Sequence, residues 1–152
     1  MTATQQPDPF GNTTSQTNGP SGPRVGFWLR FASALIDGLI MLVVYLPFAI
    51  GVSSSAGSLV YLVASIAYFT LLEGGPTGQT LGKKAVGIRV IDLARGGSIG
   101  PGRAFIRWVG RIVSGIVFYL GYLWMLWDKE KQTWHDKMAG AVVVPTSSYP
   151  VG

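Results

Sequence analysis

RFASALIDGLIMLVVYLPFAI, residues Arg30 to Ile50, is a predominantly apolar run whose only charged residues are Arg30, at its start, and Asp37. A run of about 20 apolar residues is long enough to cross the hydrocarbon core of a bilayer as a helix. An ionised carboxylate near the centre of such a helix costs about 2.5–3.5 kcal/mol on insertion scales. We therefore expect a transmembrane helix in which Asp37 meets a cation, stays protonated or faces water.

The composition is typical of a membrane protein. Only 12% of the 152 residues are charged and 48% are hydrophobic, whereas soluble domains carry about 25% charged residues. The net charge of +5 is assigned to membrane topology, because the basic residues lie beside apolar segments, and nucleic acid is not an expected partner. The chain has no Cys, one His and no acidic cluster, so we expect no disulfide, no metal ion and no other cofactor.

Three regions follow from the distribution of residue types. Residues 1–23 consist mainly of Gly, Pro and uncharged polar residues, which predicts a disordered tail. Residues 24–145 form the predicted transmembrane domain, and residues 146–152 a short flexible tail. Within the domain, the uncharged turn 51–58 and the apolar run 59–72 complete a helical hairpin, whose second span lies at the short limit for crossing a bilayer.

Basic residues gather after the second span, whereas the hairpin turn has no charge. They are Lys83, Lys84, Arg89, Arg95 and Arg103. The positive-inside rule therefore places the N-terminus and this loop in the cytoplasm. Three spans would put the C-terminus outside, but Lys129, Lys131 and Lys137 favour the cytoplasm, so the side of the C-terminus stays open.

The segment Gln79–Ile91 has apolar residues at helical spacing and basic residues elsewhere around the turn. This pattern predicts a short basic amphipathic helix on the membrane surface, although residues 87–92, GIRVID, favour a strand equally well. Gly78 and Gly82 would permit a tight turn. Together with Lys83 they resemble a phosphate loop, but the spacing does not fit, because that motif needs four residues between its glycines.

A third helix is predicted from about Pro101, a residue that suits a first helical position, through the apolar residues 112–127. Arg103, Arg107 and Arg111 recur at spacing four and therefore share one face of it. Three interpretations of this ladder remain open. They are anchoring to anionic lipids, an anion or substrate path, and internal pairing with the carboxylate of the first span.

Arg107 and Arg111 are the expected ion-pair partners of Asp37. Asp37 lies seven residues beyond Arg30, roughly 10 Å deeper along the first helix, while Arg107 and Arg111 lie roughly 6 and 12 Å beyond Arg103 on the third. The depths match for Arg111 and Arg107, whereas Arg30 lies too far along the axis. We therefore predict an ionised Asp37 paired mainly with Arg111 or Arg107.

No catalytic residue is expected. His135 beside Asp136 would suit a proton relay, but no Ser or Cys nucleophile accompanies them in a recognisable setting. We interpret them as interface polar groups that tie the C-terminal part to the membrane domain. The chain is accordingly not predicted to be an enzyme.

Three motifs resemble the RDD family of small bacterial integral membrane proteins. Residues 30–37, RFASALID, resemble its first-helix signature. Residues 78–92, with GQTLGKK and then GIRVID, resemble its loop after the second helix, and residues 134–144, WHDKMAGAVVV, its C-terminal motif. The resemblance extends over residues 24–145. Where the family often has Thr before the final valines, this chain has Ala141.

The resemblance implies a multi-pass protein of the bacterial cell membrane. The family is named for one Arg and two Asp, which the resemblance assigns to Arg30, Asp37 and Asp136, with Asp92 as the alternative third residue. It also implies transport of unidentified ligands, in a family whose molecular function is poorly defined.

Together these observations predict an all-α membrane protein with three transmembrane helices and an interfacial amphipathic segment between the second and third. The first functional hypothesis is transport of ions or small solutes, with Asp37 and its Arg partners at the site. The alternative is a non-enzymatic accessory or assembly subunit of a larger membrane complex. The expected partners are the bilayer with its anionic lipids, and either further copies of the chain or a larger complex.

Overall fold

The computed structural model describes residues 22–51, 54–117 and 119–151. The disordered tail predicted for residues 1–23 lies almost entirely outside these ranges. Most of the described residues are helical, as predicted. The elements in chain order are α1 (Phe27–Gly51), α2 (Ser54–Gly74), α3 (Leu81–Ala85), β1 (Ile88–Asp92), α4 (Gly100–Ile116), α5 (Leu120–Leu123), a 3₁₀ turn (Trp124–Leu126), α6 (Trp134–Ala139) and β2 (Ala141–Pro145).

Helices α1 and α2 confirm the first two predicted spans, since each is long and apolar enough to cross a membrane. The residues that α1 buries, Ser33, Asp37 and Met41, recur at spacing four and form one face. Large apolar side chains elsewhere on α1, such as Leu39 and Val43, are 62% and 68% exposed. This inside-out distribution suits a helix whose outer surface contacts lipid.

The third predicted span is a bent pair of helices rather than one straight helix. Helix α4 and residues 120–126 are long and apolar enough for a span only when taken together, and they are bent by 112°. Beyond the bend the chain returns towards α4, because Gly121 lies against the side chain of Ser114. The described residues therefore contain two spans, or three if the bent pair crosses the membrane.

Two strands distinguish the structure from an all-α fold. Strands β1 and β2 pair antiparallel, with Val90 opposite Val143. The sequence GIRVID therefore contains a strand, β1, as the alternative interpretation predicted. The predicted amphipathic helix is limited to the five residues of α3. A two-stranded ribbon is marginal by itself. Here it is stabilised by burial, since Val90 and Val143 pack with Ile99 and Ala139 in an apolar core.

Three distant segments meet at this sheet. The backbone N–H of Val25, just before α1, donates to the carbonyl of Val143 in β2 at 3.0 Å, and β2 pairs with β1, which follows α2. Hydrogen-bonded strands lie only about 4.8 Å apart. The segments before α1, after α2 and after α6 therefore lie on the same side of any bilayer that α1 and α2 cross.

Residues 146–151 follow β2 and contact β1. The N–H of Thr146 donates to the carbonyl of Gly87 at 2.9 Å, and Nη1 of Arg89 donates to the carbonyl of Pro150 at 2.7 Å. The segment that was predicted to be a flexible tail thus has defined contacts, and its flexibility stays a prediction.

Helix α3 packs closely on α1 because Gly82 has no side chain. A Cβ at Gly82 would lie 2.8 Å from the carboxyl carbon of Asp37 and still closer to the carbonyl oxygen of Ser33. Gly82 is therefore a contact residue between two helices and not the turn residue that was predicted. The other glycine of the motif, Gly78, is the one in a left-handed conformation, with φ of 64°.

Gly82→Ala should destabilise the protein, because the added methyl group meets backbone and carboxylate atoms that cannot move apart easily. Overpacking of this kind typically costs about 1–3 kcal/mol. The measurement is the melting temperature in detergent. The matched control is Gly102→Ala in α4, where a Cβ meets nothing within 4 Å. Equal melting temperatures for the two variants would contradict the close packing of α3 on α1.

Candidate functional site

Asp37 is buried, with 3% of its surface exposed, and accepts three hydrogen bonds from uncharged donors. The hydroxyl of Tyr68 donates to Oδ1 at 2.7 Å, and the backbone N–H of Gly82 to the same oxygen at 2.8 Å. The hydroxyl of Thr80 donates to Oδ2 at 2.6 Å. Thr80 is also the N-cap of α3, so α3 and α2 together enclose the carboxylate of α1.

The predicted ion pair between Asp37 and Arg111 or Arg107 is wrong. Within the described ranges, neither arginine forms a salt bridge with Asp37, and both pair with other carboxylates. Similar depth on two helices does not determine an ion pair when a second carboxylate is available. Glu73, at the end of α2, competes for the same arginines and is closer to them.

Glu73 is the centre of a buried cluster of charges. Its carboxylate has no exposed surface and contacts three cations. Nζ of Lys83 lies 2.6 Å from Oε1, Nη1 of Arg107 lies 2.5 Å from Oε2, and Arg111 also donates to Oε1. The guanidinium of Arg111 lies over the ring of Phe69, 4.5 Å from its centroid, in a cation–π contact.

Lys83 is therefore not on an exposed basic face at the membrane surface, as the amphipathic pattern predicted. It is 6% exposed and points inward to Glu73. Burial lowers the pKa of Lys83, and the ion pair with Glu73 opposes that shift. Arg111 and Arg107, which share Glu73 with Lys83, lower it further.

Asp136 connects the C-terminal motif to the same cluster. It forms a capping box with Thr133 at the start of α6, and its carboxylate pairs with Arg30 and with Nη2 of Arg107, the latter at 2.5 Å. Burial alone would raise the pKa of Asp136, but Arg107 and Arg30 outweigh it and hold the pKa well below its ordinary value. Asp136 is therefore ionised, and Arg107 links it to Glu73.

His135 packs beside this cluster as a neutral side chain. Its Nε2 lies 2.9 Å from the hydroxyl of Thr133, and its ring lies 5.0 Å from that of Tyr122. Burial lowers the pKa of His135 well below its ordinary value, an effect that Asp136 opposes. Gly110 of α4 lies directly against His135, because a Cβ there would be 2.7 Å from the Cβ of His135. These contacts dock α6 on α4.

The charged cluster borders a cavity of about 630 Å³ between α1, α2 and α4. Its lining contains four cationic side chains, Arg30, Lys83, Arg107 and Arg111, and the carboxylate of Asp37. Most of the remaining lining is aromatic or aliphatic. No group of three His, Cys, Asp or Glu side chains suited to a metal ion occurs in the described part of the chain. The arrangement is suited to binding a charged or amphiphilic solute.

The other residues singled out in the sequence lie away from this cavity. Asp92, the alternative third family residue, pairs with Arg103 and accepts the N–H groups of the turn after β1. Arg103 also donates to the carbonyls of Ala139 and Gly140. The arginine ladder of α4 is thus divided, since Arg103 contacts the strand region and only Arg107 and Arg111 line the cavity.

Three residues that enclose the site were missed in the sequence. Glu73 was not considered as a partner of the arginines, and Tyr68 and Thr80 were not considered as partners of Asp37. A signal was available for Glu73, because it is the single acidic residue at the end of the second apolar run. A carboxylate in that place requires a partner or water.

Glu73→Gln should destabilise the protein strongly, because three cations lose the carboxylate that they share. Removing one partner of a buried ion pair typically costs about 3–5 kcal/mol. Adding Arg111→Gln should recover part of the loss, since one of the uncompensated charges is then removed. Thermal unfolding in detergent measures both effects.

The matched control is Glu130→Gln. The side chain of Glu130 is 45% exposed and pairs with Arg24, and the loss of such an exposed pair costs less than about 1 kcal/mol. A Glu73→Gln protein as stable as the wild type would contradict the central role of Glu73. So would a double variant that is no more stable than the single one.

The chain is similar to known proteins over most of its length. The model of the RDD family matches residues 24–140. The chain is 27% identical to the uncharacterized protein YxaI of Bacillus subtilis (strain 168), over 78% of this chain and 95% of that protein. It is 30% identical to the uncharacterized membrane protein YteJ of the same strain, over 82% of both chains.

A proline-rich antigen homolog of Mycobacterium tuberculosis (strain ATCC 25618 / H37Rv) is 33% identical over 60% of this chain, which spans only 36% of that longer protein. No solved structure matches the chain. The family model covers most of the chain, including Arg30, Asp37, Asp136 and the residues that enclose them. This protein therefore belongs to the RDD family.

Proposed function

We propose that the protein binds a small charged solute in the cavity between α1, α2 and α4, as a step in moving that solute across the bacterial cell membrane. One observation carries the proposal. Four cationic side chains and Asp37 line a cavity of about 630 Å³ beside two membrane-type helices. Small-molecule sites commonly have volumes of about 300–1,000 Å³.

The energetics of charge support a functional cavity. Ionisable residues within membrane segments are costly and mark substrate or ion paths by default. Replacing a buried ion pair by apolar residues is often neutral or stabilising, so stability alone does not require so many charges in this place. The network instead holds Arg30, Arg107 and Arg111 in fixed positions around a space that a solute can occupy.

We also propose a membrane orientation. The uncharged turn between α1 and α2 faces the outside, and the basic segment after α2 faces the cytoplasm. Since β1 and β2 pair, the segment after α6 lies in the cytoplasm too. This favours two complete crossings by α1 and α2, with α4 and α5 as a bent pair that enters the membrane and returns. Further copies of the chain, or another membrane protein, would then complete a transport path.

Single cysteines introduced at positions 54, 98 and 147 test this orientation, because the chain has no Cys of its own. In intact cells an impermeant thiol reagent should label only position 54. Permeabilised cells should show labelling at all three positions. Labelling of position 147 from outside would contradict this orientation and the pairing of β1 with β2.

Solute flux into liposomes containing the purified protein tests the function. The probes are sodium, potassium, protons, chloride and phosphate, each measured separately. We expect flux of at least one probe, and a loss of about tenfold or more in Asp37→Asn. The amide removes a negative charge from the cavity lining and weakens the hydrogen bonds that hold the site together, of which each one to a charged group is worth about 1.5–3 kcal/mol. Asp92→Asn is the matched control, since Asp92 is equally buried but pairs with Arg103 away from the cavity.

Absence of flux for every probe would contradict the transport proposal. If the protein then co-purified from native membranes with a defined partner, the accessory or assembly role would be the better interpretation. Flux that is unchanged in Asp37→Asn would place the path elsewhere in the protein. Gel filtration of each variant confirms that the folded protein is being compared.

A further inference from the structure

The cavity carries an unbalanced positive charge. Four cations line it, while the two carboxylates that pair with them, Glu73 and Asp136, lie behind the lining. Asp37 does not correct the imbalance locally, because its oxygens are occupied by Tyr68, Thr80 and Gly82. Even when Asp37 is included, four cations face three carboxylates. Each cation has a carboxylate partner, but the cations share these partners, and the remaining excess of positive charge favours the binding of an anion.

Arg111 is the cation best placed to hold that anion. A guanidinium has five N–H donors, and within the described ranges Arg111 uses only Nη2, towards Glu73. Its side chain is 16% exposed, against 1% for Arg107, and it lines the cavity. Arg111 can therefore donate to a ligand without losing its ion pair. Arginine is also the side chain whose planar fork matches carboxylate and phosphate oxygens.

The rest of the lining is apolar. Phe31 and Met41 of α1, Phe69 of α2, and Trp108 and Ile112 of α4 contribute to its walls. A water molecule occupies about 30 Å³ in the liquid, so the space is far larger than an inorganic anion requires. An ionic ligand without an apolar part would leave these walls unoccupied.

We propose, on the basis of the solute cavity proposed above, that the ligand is an amphiphilic oxyanion. Its phosphate or carboxylate group binds at Arg111 beside Lys83, and its apolar part lies against the walls contributed by α1, α2 and α4. Such a molecule has two sources with the same chemistry, an anionic lipid of the bilayer and a free amphiphile.

The test uses the full chain in nanodiscs of phosphatidylcholine, a lipid without net charge. Octyl phosphate is titrated and its affinity is measured from the rise in melting temperature, followed by tryptophan fluorescence. Octanol and octylammonium have the same chain without the negative charge and should produce no comparable rise. Inorganic phosphate should bind more weakly than octyl phosphate.

Arg111→Gln should weaken octyl phosphate binding by about tenfold or more, because it removes a charged donor, and Arg111→Lys should restore part of the affinity. Arg103→Gln is the matched control, an arginine of the same helix that does not line the cavity. If octanol or octylammonium stabilises the wild type as well as octyl phosphate does, or if Arg111→Gln binds normally, the assignment is wrong. Equal affinities for inorganic phosphate and octyl phosphate would contradict a contribution from the apolar part of the ligand.

Nanodiscs containing phosphatidylglycerol distinguish the two sources. If this lipid displaces octyl phosphate, the ligand is a lipid of the bilayer, and if it does not, the ligand is a free amphiphile. The result also separates this inference from the transport proposal. Binding of octyl phosphate without flux of the inorganic probes or of octyl phosphate itself would support the ligand class and contradict transport. Flux of an inorganic probe without binding of octyl phosphate would support transport and contradict the ligand class.

Discussion

Arg107 is the residue on which the arrangement of the helices depends, because it forms ion pairs with Glu73 of α2 and Asp136 of α6 at once. Its side chain is 1% exposed. One of the two carboxylates, Glu73, precedes α4 in the chain, and the other, Asp136, follows it. A cation in such surroundings is tolerable only with full compensation. The three elements therefore have to assemble together, and Arg30 joins the same network through Asp136.

Several features of the fold follow from the position of this network. The buried face of α4, with Ala104, Arg107, Gly110 and Ser114, is narrow and made of small residues apart from the arginine. Gly110 allows α6 to approach, and Gly82 allows α3 to approach α1 in the same way. The helices thus approach most closely beside the buried charged groups. This close approach brings polar groups from distant segments within hydrogen-bond distance.

The sequence was sufficient to predict the first two membrane spans and the family, but it was insufficient to predict which side chains pair with one another. The apolar runs of α1 and α2 predicted their spans directly, because hydropathy and length are local properties. Three motifs identified the family and marked Arg30, Asp37 and Asp136. The predicted ion pair of Asp37 was wrong, since depth along a helix does not determine which of several carboxylates an arginine contacts. The bend after α4 and the pairing of β1 with β2 also depend on tertiary contacts that no local pattern specifies.

The sheet has a consequence for how the protein is made. Strand β2 begins at Ala141 and β1 ends at Asp92, so ribosomes at about 5–20 residues per second need roughly 2–10 s to synthesise the intervening chain. During that interval α1 and α2 are already available for insertion, while Arg30 still lacks its partner Asp136. The nascent chain must then keep Arg30 unpaired and near water, and the edge of β1 uncovered. Membrane insertion and completion of the charged network are therefore separate events in time.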